Sequence, residues 1–294
     1  MLYSKRQKLS QALLILFFVI LCTLIIYPFL LLVGVSLSSE KAIGQYGYQL
    51  IPKEWSLASY KYVFENPSAI LNAYKVTAIF SVTAMVLSVL LMAMMAFPLT
   101  RKEVRARRAL SFFLYFTMLF SGGLVPTYIL ITKYLHLNDT IWVYILPSLI
   151  SPWYVFMIRT FFQDLPEEIF ESVRLDGGTS YTIFFRFVIP LSKPVLATVA
   201  LLIFLGKWND WYTALLYIED ESLMSLQYLL QRIMQNLKLL QSLEGSASMV
   251  STEKIPSETV RMAMAVVVAG PALVVFPFFQ KYFVKGLTVG SVKG

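Results

Sequence analysis

Five stretches of this 294-residue chain contain no Asp, Glu, Lys or Arg: residues 9–39, 76–100, 109–132, 140–158 and 262–280. Crossing the hydrocarbon core of a bilayer takes about 20 mainly apolar residues, with a range of about 17–25. Every run is long enough. A soluble domain needs charge to cover its surface, typically about 25% of residues. Here 57% of residues are hydrophobic and 14% charged, so lipid must be the solvent for much of the surface. A sixth run, 194–206, continues through "KWNDWYTALLYI" to Ile218, where Lys207 and Asp210, three apart, share a helix face and neutralise each other. The spans are expected at 11–35, 73–98, 109–131, 141–162, 195–217 and 262–283. Only helices and closed barrels satisfy the backbone in lipid. The runs are continuous rather than alternating, which predicts an all-α polytopic membrane protein with six transmembrane helices.

The formal net charge of +8 does not point to nucleic acid, because the basic residues are sorted by side. With the N-terminus inside, the inner segments hold fifteen of the twenty-five Lys and Arg, including Lys5, Arg6, Lys8 and the cluster Arg101, Lys102, Arg105, Arg107, Arg108. The outer segments are longer in total and hold fewer, which is the positive-inside pattern. Both termini are therefore expected in the cytoplasm, with a short inner segment at 1–10, the membrane domain over 11–284 and an inner tail at 285–294. The first apolar run exceeds the usual length of a signal-peptide core, about 7–15 residues, and no A-x-A site follows it. Cys22 is a lone thiol and His136 a lone histidine, so neither a disulfide framework nor a zinc site is expected. No phosphate-binding G-x-x-x-x-G-K-[ST] loop occurs, and no Ser/His/Asp set can be assembled. The chain reads as a non-enzyme without a metal or cofactor of its own. "SGG" at 121–123 lies inside the third span and reads as a packing or breaking site, with Pro126 adding a kink.

One inner segment departs from this apolar background: "LPEEIFESVRLDGGTSYTIFFRFVIPLSKP", residues 165–194. Asp164 with Glu167 resembles a capping box, and Glu167 and Glu168 suit the positive end of a helix dipole. A helix of about 12 residues, roughly 18 Å long, is predicted. Ile169, Phe170 and Val173 would form its apolar stripe, and Gly177 and Gly178 would end it. A second short piece then runs to Pro190, and a bend is expected before the fifth span begins near Pro194. Such an element is too short and too charged to span the bilayer. By composition alone it is an ordinary interfacial helix.

Its spacing resembles the EAA loop of ABC-transporter permeases, in which EAA is followed after three residues by Gly and after nine more by I-x-L-P. "ESV" at 171–173, Gly177 and "FVIP" at 187–190 take those places, with mild departures at Ser172, Val173, Phe187 and Ile189. "FSGGLVPTYIL" at 120–130, "NDTIWVYILP" at 138–147, "WNDWYTALLYI" at 208–218 and "KGLTVGSVKG" at 285–294 are similar to carbohydrate-uptake permeases, above all the MalG-like half of maltose-type importers and its lipoprotein-fed oligosaccharide branch. The resemblance implies the type I importer (MetI-like) fold in a bacterial cytoplasmic membrane. It implies half of a heterodimeric pore, made with a second homologous permease. Its other implied partners are a dimer of ATP-binding subunits that hold ATP and Mg, and an extracytoplasmic sugar-binding protein. Within the coupling element, 164–193, it points to Glu171, Arg174, Asp176, Gly177, Gly178 and Pro190 as contacts with the ATP-binding subunit. In the tail it points to Gly286, Leu287, Thr288, Gly290, Lys293 and Gly294.

Polar residues near membrane depth are candidates for a translocation path. These are Asn72 and Tyr74 near the start of span two, and Asn209, Asp210 and Tyr212 toward the outer end of span five. Each can instead serve helix–helix hydrogen bonding or interface anchoring. In the outer segment 219–260, Leu226, Leu229, Leu230, Ile233, Leu237 and Leu240 recur at helical spacing. The polar stretch after them and the loop 36–70, with Tyr46, Tyr48, Trp55 and Tyr60, are expected to dock a substrate-delivering protein. The spacing also admits a permease for peptides or another solute. A secondary transporter would show inverted repeats with paired broken helices, and no such duplication is apparent.

Overall fold

A computed structural model describes residues 5–65, 67–246 and 257–290, with no strand among them and a single isolated bridge between Ser38 and Trp55. The chain divides into two compact units, residues 1–67 with 232–270, and residues 68–231 with 271–294.

The first unit contains α1 (Lys5–Ser36), α2 (Glu40–Tyr46) and α3 (Ala58–Val63). α1 is apolar all round and exposes residues such as Phe17, Phe18 and Leu24 on every side, as a helix solvated by lipid must. The lone thiol of Cys22 lies on this exposed surface. At its end, a Cβ on Gly34 would stand 2.3 Å from the Leu50 carbonyl oxygen, so only glycine admits the loop there. Of the aromatic residues expected to form an outer surface, Tyr60 turns inward to Ser36 (2.9 Å), and Tyr48 donates to Glu258 (2.8 Å). Tyr46 and Trp55 stay exposed. The Glu40 carboxylate accepts from Thr259 N (3.1 Å) and Thr259 Oγ1 (2.9 Å), placing a negative charge at a helix N-terminus.

The second unit is built on α4 (Pro67–Thr100), one unbroken 34-residue helix. Its buried face runs Ala73, Thr77, Ser81, Ala84, Ser88, Ala93, Ala96, small residues at helical spacing that let neighbouring backbones come close. Phe80, on the same side, stacks on Tyr144 at 4.2 Å. The three following spans are not straight helices. α5 (Arg107–Leu119) and α6 (Leu124–Ile129, prolonged by a π turn to Tyr134) meet at 112° across "FSGG", where Gly123 has φ 88°. The fourth span bends by 54° between α7 (Trp142–Ile145, prolonged to Ser148) and α8 (Pro152–Gln163), since Pro152 disfavours helix in the residue before it.

α9 is Glu167–Leu175, α10 Ser180–Ile183 with a π turn over Phe184–Val188, and α11 Ile189–Leu191. The fifth span, expected as one helix over 195–217, is α12 (Lys193–Trp208) and a separate α13 (Tyr212–Tyr217). The helix stops at Trp208, and Asp210 accepts from Thr213 N (3.0 Å) to start the next one. Among the described residues, three helices and three bent pairs are long and apolar enough to cross a membrane, giving up to six spans.

α14 (Leu226–Ser246) is the amphipathic helix expected from its leucines, with Leu226, Leu230 and Leu237 buried. α15 (Ser257–Gly290) carries the last span past Pro271 and Pro277 and continues through Gly286, Leu287, Thr288 and Gly290. Lys293, Gly294 and most of the outer loop expected at 241–259 lie outside the described residues.

Candidate coupling site and polar path

α9 begins where proline permits. Pro166 forces Leu165 out of the helical region, so Pro166 itself takes the N-cap with ψ 128° and no side-chain cap. The capping box expected at Asp164 is therefore absent: Asp164 is the C-cap of α8. The helix has nine residues rather than about 12.

Its apolar stripe faces the chain's own core. Phe170 is 2% exposed and joins a core with Met92, Ala96, Phe162, Ile183 and Val188, with Val173 packed beside it. The stripe therefore anchors α9 to its own chain and is not left to fill a partner's groove. The outward face is Glu168, Glu171, Ser172 and Leu175, at i, i+3, i+4 and i+7. Leu175 is 89% exposed. Hydrophobicity alone does not single it out, because it falls outside the stripe.

Two further contacts tie α9 to the segment after α4. Arg174 Nη1 donates to Glu103 Oε1 at 2.7 Å. The Arg101 guanidinium lies 4.1 Å from the centre of the Phe170 ring and 4.7 Å from that of Phe97. Hydrogen bonds from its own backbone N–H and from Arg174 hold the Glu103 carboxyl below the usual carboxylate range. Burial, followed by the repulsion of Arg174, pushes the Arg101 guanidinium down from its ordinary value. Arg174, expected to pair with a soluble partner, is thus engaged within the chain. Glu171 and Asp176 are exposed.

The turn after α9 has the expected glycines, each used differently. Gly177 N donates to Arg174 O (3.0 Å) and Gly178 N to Val173 O (2.8 Å), the paired bonds of a Schellman stop. Gly177 has φ 78° and open space where a Cβ would go. At Gly178 a Cβ would sit 2.5 Å from Val173 Cγ1 and 2.7 Å from Val173 O.

The bend expected before the fifth span falls at Ser192, where Ser180–Leu191 and Lys193–Trp208 meet at 76°. Ile189 stays helical because the π turn before it absorbs the ring and missing donor of Pro190. Ser192 is fully buried and its hydroxyl has no hydrogen-bond partner among the described residues.

The polar residues of spans two and five make their contacts within the chain, and a ring contact between Tyr74 and Trp208 joins the two spans. Asn72 donates to Ser222 O (2.6 Å), and Asn209 Oδ1 accepts from Gln227 (2.8 Å). Asp210 pairs with Lys207 at 3.3 Å, both side chains 13% exposed, and accepts from Thr213 Oγ1 (2.8 Å). The Tyr74 ring lies 6.3 Å from Trp208, and Tyr212 is exposed beside Trp211. No group of three or more His, Cys, Asp or Glu that could hold a metal ion occurs among the described residues.

Residues 66–289 match the family model of the binding-protein-dependent transport system inner membrane component. The chain belongs to that family. Protein LplC of Bacillus subtilis (strain 168) is 39% identical over 270 residues, which cover 92% of the permease and 90% of that relative. The polygalacturonan/rhamnogalacturonan transport system permease protein YtcP of the same organism is 36% identical over 281 residues, 95% and 96% of the two chains. Among solved structures, a chain of a bacterial ABC transporter involved in the import of the acidic polysaccharide alginate superposes with a TM-score of 0.79 at 25% identity, over 96% of the permease and 99% of that chain. The permease therefore has the helical type I importer fold with up to six spans, and its family role is transport. A secondary transporter is excluded by this membership.

Proposed function

We propose that the permease is one half of a heterodimeric pore for ATP-driven import of oligosaccharides across a bacterial cytoplasmic membrane. A second homologous permease completes the pore. Separate ATP-binding subunits, which hold ATP and Mg, dock on α9, and an extracytoplasmic sugar-binding protein delivers the substrate from the other side. Both termini and the 101–106 segment face the cytoplasm in this reading, as the sorting of Lys and Arg requires.

The observation that carries it is Leu175. A leucine 89% exposed, at one end of a face otherwise built from Glu168, Glu171 and Ser172, is an apolar knob with no use inside the chain. The opposite face of the same helix is fastened by Phe170, Arg101 and Glu103. A rigidly held helix presenting a leucine among carboxylates suits a groove with apolar floor and basic rim on a soluble partner. Gly177 and Gly178 then set the angle at which motion of that partner reaches α10 to α12. The segment 285–294, with Lys293 and Gly294, is a second proposed contact with the ATP-binding subunit. Asn72, Tyr74, Asn209, Asp210 and Tyr212 are proposed to border the substrate path. Of these, Tyr212 offers an exposed ring to a sugar, and Asp210 maintains the fold.

Oligosaccharide as the substrate is supported by the relatives' own descriptions, which include polygalacturonan/rhamnogalacturonan, arabinooligosaccharides and maltodextrin. The test is uptake into proteoliposomes holding both permeases and the ATP-binding subunits, with ATP inside and binding protein outside. Oligosaccharide should accumulate only when ATP and binding protein are both present. Accumulation of peptides instead would reassign the substrate, and oligosaccharide uptake driven by an ion gradient without ATP would overturn the mechanism.

A further inference from the structure

A cleft of about 490 Å³ opens beside the coupling helix, between the end of α4, the 101–104 segment and α10 with its π turn. Its walls are unequal. Met94, Phe97, Ile183 and Phe185 make it apolar, while Arg101, Arg174 and Glu103 gather at one end. Glu103 pairs with Arg174 at 2.7 Å, so the lining carries two guanidinium groups and one carboxylate. The second guanidinium is that of Arg101. Its guanidinium rests on the faces of Phe97 and Phe170, and its Nε is buried without a hydrogen-bond partner among the described residues. Glu103 and Glu167, the latter on α9, both act on it electrostatically, against the repulsion of Arg174.

The position of the cleft selects its occupant. Arg101 is the first residue beyond α4, a 34-residue span ending at Thr100, so the charged end lies at headgroup level and the apolar walls run toward the hydrocarbon. Tyr181 and Phe185 are 74% and 50% exposed at its rim, the aromatic signature of a membrane interface. A soluble anion would satisfy the guanidinium and leave the apolar walls wet. A phosphodiester carrying acyl chains satisfies both.

We propose that the cleft between the end of α4 and α10 binds an anionic phospholipid, its phosphate on the Arg101 guanidinium and an acyl chain along Phe97 and Phe185. The lipid would sit against the Arg101–Phe170 and Arg174–Glu103 contacts that hold the coupling helix. The leaflet in which α9 works would thereby contribute to its seating. The choice of an anionic lipid rests on the proposed cytoplasmic location of this end, where anionic lipids collect and basic pockets between helices hold their headgroups.

The test uses the whole transporter, this permease with its partner permease and ATP-binding subunits, purified in detergent with equal phosphatidylglycerol and phosphatidylcholine. Native mass spectrometry then counts retained lipid. Phosphatidylglycerol should be retained in preference. Arg101→Gln should lower its retention about fivefold, the ratio corresponding to about 1 kcal/mol per basic residue, and leave phosphatidylcholine unchanged. Phe185→Ala, at an exposed wall position, should also lower retention and serves alone if Arg101→Gln does not assemble. Inorganic phosphate at millimolar concentration should displace nothing. Equal retention of the two lipids, full retention by Phe185→Ala, or displacement by inorganic phosphate would each overturn the proposal. The last would assign the site to a soluble anion. Sugar uptake is not part of the readout, so failure here leaves the transport reading standing.

Discussion

Replacing Gly177 and Gly178 by the same residues should produce two different orders of damage. Gly177 has φ 78° and nothing within 4 Å of the point a Cβ would occupy, so a side chain there meets no neighbour and the cost is that of the backbone alone. Left-handed backbone costs an ordinary L-residue about 1–2 kcal/mol, and Asn is among the few that visit it readily. A β-branched residue is a genuine outlier, toward the upper part of the range of about 1–3 kcal/mol for strained positions. Damage at 177 should therefore rise from Asn through Ala to Val. At Gly178 the obstacle is Val173, whose carbonyl oxygen would lie 2.7 Å from a Cβ and is held by the turn's own hydrogen bond. Ala and Asn should be similarly harmful there, by about 1–3 kcal/mol as for an overpacked site. A cost of about 1–2 kcal/mol changes the occupancy of the correct turn by roughly 5- to 30-fold, yet cannot unfold long membrane helices. The variants should insert and pair with the partner permease. Retention of the ATP-binding subunits on purification, and oligosaccharide uptake, should fall in the stated orders. Wild-type uptake by Gly177→Val, or equal loss for Asn and Val at 177, would refute the argument from backbone conformation.

Asp210→Ala should leave Lys207 as an uncompensated charge in a setting where both side chains are 13% exposed, lowering stability by about 3–5 kcal/mol. Thermal unfolding in detergent measures this, and an unchanged melting temperature with weakened sugar transport would instead make Asp210 a substrate ligand. Glu103→Gln should weaken coupling modestly, by about 0.2–1 kcal/mol, because the pair with Arg174 is half exposed. The depressed pKa of Glu103 means that its contribution is full at neutral pH and is lost only as pH falls below the carboxylate range through that lowered value. Exchanging the pair, Glu103→Arg with Arg174→Glu, should restore binding-protein-stimulated ATPase activity lost in either single variant, and failure of the exchange would deny the contact a positioning role. A cysteine at Arg105 should be labelled by an impermeant reagent only from the cytoplasmic side, and labelling in intact cells would invert the proposed orientation.

The apolar spans are legible in the sequence because lipid imposes one demand on every residue of a run, so the absence of charge suffices. Where they break is less legible. Hydropathy is blind to both breaks: the glycines of "SGG" at 121–123 mark the one in span three, which bends there, while no such signal singles out Pro152 in span four. The element after α8 is legible in its glycines, whose spacing reports a backbone need, and Gly177 has the positive φ that need implies. Its faces are not. Ile169, Phe170 and Val173 are the apolar residues of a charged helix, and whether such a stripe meets a partner or its own chain depends on where α4 and α8 lie. Leu175, Arg101 and Glu103 carry the outward knob and the inward fastening. No local pattern marks them, because both depend on contacts between segments some 70 residues apart, as Arg174 and Glu103 are.

A photoreactive amino acid in place of Leu175, irradiated in the assembled transporter, tests most directly whether α9 is the coupling contact. The exposed position should yield one dominant adduct with the ATP-binding subunit, and the yield should change when nucleotide is added. Adducts only with lipid or with the permease itself, while the ATP-binding subunit remains bound, would contradict the proposed docking face.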